Sequence, residues 1–240
     1  MFFLADFHQS SEYQLDHEAE FHYTNGMSLM VKNLQCIRGE KELFSELSFA
    51  LKSKQLMRIE GENGTGKTTL LRTLCGLYQP DQGEVLWHDV SIKKQAEIYL
   101  KDLFFLGHQN AIKSDLSALE NLRINTALAG DNFSEDILLQ ALDDIGLFGS
   151  EYKPTAHLSQ GQKRRVALVA LLLNKAKLWI LDEPFVALDG FAVKLLQDVI
   201  AKHVENNGMV ILTTHQEVPL TDGEIIRVQL DKNKQNTDHA

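Results

Sequence analysis

The stretch Gly61-Glu62-Asn63-Gly64-Thr65-Gly66-Lys67-Thr68 fits the pattern G-x-x-x-x-G-K-[ST] at every position. Its glycines let successive backbone N–H groups converge on phosphate oxygens, and a helix starting at the lysine adds its positive dipole end. In such a loop Lys67 is placed for the β- and γ-phosphates and the Thr68 hydroxyl for Mg²⁺. A glycine-rich turn that merely joins a strand to a helix would read the same way in isolation. The flanks favour phosphate binding, because Leu56–Glu60 reads as a strand and 68–77 as a helix halted before Pro80.

A second apolar run, Leu178-Trp179-Ile180-Leu181, ends in Asp182-Glu183-Pro184. A buried parallel strand would deliver Asp182 to its C-terminal end, where open α/β sheets bind ligands. Asp182 would then hold Mg²⁺ through water, and Glu183 would polarise the attacking water. An acidic cap on a strand-to-turn junction is the plainer alternative, disfavoured by the phosphate loop in the same chain. His215 follows the apolar run 209–213, and Gln109 follows 103–107. Either could be an ordinary surface residue, but both fall at ends of expected core strands, where a γ-phosphate would sit.

Around these motifs the chain alternates strand and helix. Residues 29–37, 48–51, 84–87 and 225–230 read as further strands, and Phe191–Val204 as a helix. A helical lobe has legible start signals. Ser117-x-x-Glu120 is a capping box for a helix over 118–128 that stops at Gly130. Ser134, followed by two acidic residues, opens a helix over 135–145 whose apolar face is Ile137, Leu138, Ala141, Leu142 and Ile145.

Of the net charge of −9 over 240 residues, five acids lie in residues 1–26, which carry no Lys or Arg. The remaining −4 argues against non-specific nucleic-acid binding. That acidic extension is expected to be mobile, and 231–240 reads as a polar tail. His17 and His22 are five apart and diverge around a helix, so they do not form an HExxH zinc site. Cys36 and Cys75 read as buried, reduced thiols. The longest apolar run, Val166–Leu173, is far shorter than the roughly 18 residues that span a bilayer. Any membrane role is expected to pass through a partner.

The segment Leu158-Ser159-Gln160-Gly161-Gln162 raises a separate question. Ser159 and Gln162 form an S-x-x-Q capping box, and a helix N-terminus with a hydroxyl and a glycine is a natural anion site. Most such caps bind nothing. This one also grows from the helical lobe, so one subunit could hardly bring it and the phosphate loop to the same ligand.

The set GENGTGKTT (through Thr69), Gln109, LSQGQ, LDEP, Ala187-Leu188-Asp189 and Thr214-His215 resembles the ATP-binding-cassette (ABC) family in order and spacing, over residues 27–230. The resemblance implies an α/β fold: a P-loop NTPase core with an antiparallel β subdomain and a helical subdomain over about residues 90–175. It implies a head-to-tail homodimer in which Ser159, Gly161 and Gln162 of one subunit cap the γ-phosphate held by Lys67 of the other, with Asp189 at the seam. It assigns Glu183, His215 and Gln109 to catalysis, Thr68, Gln109 and Asp182 to Mg²⁺, and the loop 61–69 to ATP.

Further stretches are similar to the haem-exporter ATP-binding subunits of cytochrome c maturation. They are Lys41–Phe49, Gly83–Trp87, Leu106–Lys113, Leu119–Leu122 and Ile211–Gln216. That family works with an integral membrane permease at the cytoplasmic face of the bacterial inner membrane. It uses ATP to release a haem-loaded chaperone, and haem binding by this chain itself is not expected. Three departures stand out. Gln160 replaces the first glycine of the usual LSGGQ, Ser53-Lys54 lacks a customary turn glycine, and Arg38 falls where an aromatic usually stacks on adenine. Ile112, Leu116 and Leu119 are candidates for the permease contact or, equally, for lobe core. A soluble cassette ATPase acting on nucleic acid is disfavoured by the single cassette. A silent regulatory cassette is disfavoured by the presence of both Glu183 and His215.

Overall fold

The computed structural model describes residues 28–108, 112–214 and 225–231. The acidic extension 1–26, Gln109, His215 and all of the polar tail but Asp231 lie outside the described residues.

Two sheets organise the chain. Strands β1 (Ser28–Arg38), β2 (Lys41–Lys52), β4 (Gln82–Trp87) and β5 (Val90–Ser91) form an antiparallel sheet in the order β2-β1-β4-β5. Strands β3 (Leu56–Gly61), β6 (Leu103–Leu106), β7 (Leu178–Asp182), β8 (Met209–Thr213) and β9 (Ile225–Leu230) form a parallel sheet in the order β6-β7-β8-β3-β9. The α-helices among the described residues are α1 (Lys67–Leu74), α2 (Ala96–Lys101), α3 (Ala118–Leu128), α4 (Glu135–Asp144), α5 (Gln160–Leu173) and α6 (Gly190–Glu205).

The period of two in the central strands decides which layer each side chain enters. From β7 and β8, Leu178, Ile180, Met209 and Ile211 face the core shared with α1 and the antiparallel sheet. Their neighbours Trp179, Leu181, Val210 and Leu212 face the core built by α3 to α6. Both faces are covered, which is why these strands are uninterrupted apolar runs.

Several elements differ from the sequence expectation. Helix α1 ends at Leu74, three residues early, because Gly76 adopts φ 72° and closes a left-handed cap. The Leu77 N–H donates to the Arg72 carbonyl at 2.9 Å and the Gly76 N–H to that of Thr73 at 3.0 Å. Strand β2 begins seven residues before the expected Ser48, since backbone pairing with β1 extends to a tight turn at Gly39-Glu40. On α4, Leu138, Ala141 and Leu142 are buried as expected, together with Ile145 at its C-cap. Ile137 is exposed, because the lobe covers a narrower stripe of that helix. The Ser134 side chain makes no capping bond, whereas the Ser117 capping box on α3 is complete. Leu119 is 3% exposed and belongs to the lobe core, which removes it from the candidate permease contact; Ile112 and Leu116 are half-buried. Lys54 takes φ 66°, the conformation that a glycine would adopt without strain. Both cysteines are buried and free.

At the edge of the sheet opposite the strand C-termini, the His203 ring stacks on Trp179 with centroids 3.7 Å apart and planes 5° from parallel. Its other neighbour is Gly208, where a Cβ would lie 2.3 Å from His203 Nε2, so only glycine leaves room for the imidazole. Burial pushes the His203 pKa down to about 4, disfavouring the imidazolium in the folded state. The unfolded chain binds that proton near pH 6.5, so this group leaves stability intact above pH 6.5 and erodes it as pH falls toward 4. The stability advantage of wild type over His203→Gln should therefore shrink between pH 7 and 4.5, by at most about 1.4 kcal/mol per pH unit. Urea midpoints of both proteins at the two pH values check this; an advantage independent of pH would refute it.

Candidate nucleotide site

The parallel sheet brings the strand ends Gly61, Asp182 and Thr213 side by side, with Asp182 in register with Thr213. Above them opens a cleft of about 600 Å³. Of the expected residues it is lined by Arg38, Asn63, Gly64, Gly66, Lys67, Thr68, Thr69, Asp182 and Glu183. Leu43, His108 and Val186 complete the lining without having been singled out in the sequence.

The loop's glycines meet two different demands. Gly61 has φ 146°, and a Cβ there would lie 2.5 Å from the Leu230 carbonyl oxygen and 2.8 Å from Thr65 Oγ1. Gly66 is the N-cap of α1 in a left-handed conformation, φ 105°, with Leu43 Cβ 3.1 Å from where its own Cβ would be. A side chain at either position would push the backbone away from its ligand-facing course. The loop also bonds to itself. Thr65 Oγ1 donates to the Glu62 carbonyl at 2.9 Å, and Lys67 Nζ donates to the carbonyls of Gly61 (2.6 Å) and Glu62 (3.0 Å). The ammonium of Lys67 is thereby held at the mouth of the loop, where it can neutralise phosphate charge.

Asp182 is 3% exposed and both of its oxygens are used. Thr68 Oγ1 donates to Oδ2 at 3.0 Å and Thr213 Oγ1 donates to Oδ1 at 2.8 Å. A hydroxyl and a carboxylate in direct contact beside the phosphate loop are hard oxygen donors. They suit Mg²⁺, which takes one or two protein oxygens and completes its shell with phosphate and water. The residues present fit that cation.

Glu183 follows with φ 51°, a left-handed conformation that costs a non-glycine residue about 1–3 kcal/mol. It is held there at both ends of its backbone. Its N–H donates to Thr213 Oγ1 at 3.0 Å, and its carbonyl accepts from the Arg164 guanidinium at 2.7 Å. Sequence reasoning missed Thr213 and Arg164, which reach the site from β8 and α5; a hydroxyl ending an apolar strand was the available signal for Thr213.

Ser159, Gly161, Gln162 and Asp189 do not line the cleft. Ser159 is exposed and caps α5 in a complete capping box: Gln162 N–H to Ser159 Oγ at 3.2 Å, Ser159 N–H to Gln162 Oε1 at 3.0 Å. Asp189 caps α6 by accepting from the Ala192 N–H at 3.0 Å and pairs with Arg165. The Ala192 N–H, with help from Arg165, holds the Asp189 carboxyl below its ordinary pKa. Arg38 ends β1 on the rim of the cleft, exposed, next to the turn into β2.

Comparison with known proteins agrees with this geometry. The family described as ABC transporter matches residues 44–186. The cytochrome c biogenesis ATP-binding export protein CcmA of Nitrosomonas europaea is 51% identical over 193 residues, covering 80% of this chain and 91% of that protein. The proteins of the same name from Dechloromonas aromatica and Vibrio cholerae are 48% and 46% identical over 202 residues, each match covering 84% of this chain and at least 98% of theirs. Among solved structures, a putative ABC transporter ATP-binding protein from Pyrococcus furiosus superposes with a TM-score of 0.72 at 26% identity, covering 85% of this chain and 97% of that one. With its phosphate loop, its paired carboxylates and its relatives all in accord, the chain belongs to the ABC transporter family, and within it to the cytochrome c biogenesis ATP-binding export proteins.

Proposed function

We propose that this chain is the ATP-hydrolysing subunit of a cytochrome c biogenesis export complex, where it couples ATP hydrolysis to release of a haem-loaded chaperone. It works as a homodimer docked on an integral membrane permease at the cytoplasmic face of the bacterial inner membrane. The observation that carries the reading is the convergence of Lys67, Thr68, Asp182 and Glu183 on one cleft at the ends of the parallel strands. Among the described residues no helix is long and apolar enough to cross a membrane, which is compatible with attachment through a partner.

In this mechanism the backbone N–H groups of residues 61–69 and Lys67 bind the β- and γ-phosphates. Thr68, Asp182 and Gln109 hold Mg²⁺, which supplies Lewis-acid polarisation of the phosphoryl oxygens. Glu183 accepts the proton of the attacking water, and Gln109 and His215 orient that water and the γ-phosphate. Arg38 lays its guanidinium plane on the adenine. Ser159, Gly161 and Gln162 close the γ-phosphate from the other subunit, and Asp189 lies at the seam between subunits. Support for two subunits comes from Ser159, which caps a 14-residue helix yet stands exposed and outside its own chain's cleft.

Glu183→Gln is expected to lower kcat by about 10²- to 10⁴-fold, the usual worth of a general base, while ATP binding persists. The same variant should accumulate an ATP-bound dimer, visible by size exclusion with light scattering, and block cytochrome c maturation in cells. Normal maturation in that strain would sink the cytochrome assignment. Arg38→Ala should weaken ATP binding about fivefold to thirtyfold, equivalent to about 1–2 kcal/mol, and Arg38→Tyr should restore it. Calorimetric titration decides, and an unaltered Kd for Arg38→Ala would remove Arg38 from the site. Changing the half-buried Ile112 and Leu116 to Asp should abolish recruitment to membranes and leave nucleotide binding intact, as measured by fractionation and titration.

A further inference from the structure

Helix α5 does more than present Ser159. Its first turns touch the segment that carries Glu183 at three places. Gly161 approaches the Ala187 carbonyl so closely that a Cβ there would sit 3.3 Å from it. Arg165 pairs with Asp189 and donates to the carbonyls of Ile145 and Gly146, at 3.2 and 3.4 Å. Between them Arg164, 4% exposed, donates to the Glu183 carbonyl at 2.7 Å and lies 3.5 Å from that of Asp182.

A buried guanidinium is a costly choice for a structural prop, since an apolar side chain of similar volume would pack without desolvating a charge. Its position suggests what the charge is for. Glu183 stands in a left-handed backbone conformation that relaxes unless both ends of the residue are held. Thr213 holds the amide and Arg164 holds the carbonyl. With the backbone held, the direction in which the Glu183 Cα–Cβ bond leaves the chain is fixed as well. Arg164 also stands five residues from Ser159, on the rigid helix whose N-terminus serves the other ATP.

We propose that Arg164 is the positioning residue for Glu183, pinning the carbonyl that sets the aim of its carboxylate and tying that aim to the seating of α5. The inference rests on the reading of Glu183 as general base and of α5 as the element that closes the partner's nucleotide. Engagement of one subunit's α5 on its neighbour's ATP thereby bears on that same subunit's own base. Arg164 touches no substrate; it acts through the backbone of Glu183.

The test uses the full chain with ATP and Mg²⁺. Arg164→Met, which keeps volume and removes the donors, should lower kcat on the order of 100-fold, as misplacement of a catalytic group by about 1 Å does. The KM for ATP should stay within about twofold, and Arg164→Lys, which keeps a cationic donor group without the planar fork, should recover part of the loss. A helix-support role would damage closure instead, and the Glu183→Gln background separates the two. Arg164→Met combined with Glu183→Gln should still form the ATP-bound dimer as Glu183→Gln alone does, because closure needs α5 and not the base. Loss of that dimer in a variant that still melts cooperatively would overturn the proposal, as would a kcat for Arg164→Met within about threefold of wild type. Should the Met variant not fold, Arg164→Leu, which also removes the donors, carries the same comparison, and an unchanged kcat at normal melting overturns the proposal. Failure of Glu183→Gln itself to dimerise would count against the dimer reading, and the kcat-against-KM split would then decide Arg164 alone.

Discussion

The carboxylate of Asp182 is the fixed point of the site. It is almost wholly buried, and two hydroxyls from different elements, Thr68 on α1 and Thr213 on β8, each take one of its oxygens. A buried carboxylate is tolerated only when its lone pairs are met, so loss of either hydroxyl would leave a desolvated acceptor behind. The two bonds therefore lock the helix that follows the phosphate loop to the strands that carry the acids. Thr213 serves twice, donating to Asp182 and accepting from the Glu183 amide. One hydroxyl thus joins the Asp182 carboxylate to the backbone of the neighbouring acid.

The architecture around this point divides labour between two sheets. The parallel sheet, buried on both faces, supplies the strand ends where charge is handled, and its rigidity comes from alternate side chains entering two separate cores. The antiparallel sheet contributes Arg38 and Leu43 at the rim of the same cleft, from either side of a tight turn. A ligand in the cleft is bordered by a deep, preformed wall and by a shallow one built on a hairpin.

Much of this was legible in the sequence because the decisive residues are contiguous. The phosphate loop, the LDEP run and the two capping boxes each fit within eight residues, and each carries its own local physics of glycine freedom, strand burial or helix capping. The Ser117 and Ser159 boxes occur in the structure as read, bond for bond. What escaped notice depends on register. Thr213 matters because β8 pairs with β7 so that Thr213 lies beside Asp182, and Arg164 because it is on the buried face of α5. Neither placement follows from spacing along the chain. The early end of α1 is readable in principle, since Gly76 closes the helix well before Pro80. The length of β2 was hidden because the buried residues of its outer half, Leu43, Phe44 and Leu47, break the simple alternation of a strand, and its pairing with β1 carries register shifts there. Gln109 and His215 fall outside the described residues, so their roles rest on sequence order.

The first glycine of the phosphate loop has a neighbour from the far end of the chain. Gly61 pairs in register with Leu230, whose carbonyl oxygen occupies the space a Cβ on Gly61 would need. The last strand of the sheet is therefore also the floor under the start of the loop. A displacement of Leu230 would therefore be transmitted across one strand spacing to the backbone of that loop. The end of β9 is thus mechanically close to the 61–68 loop, however remote it is in sequence.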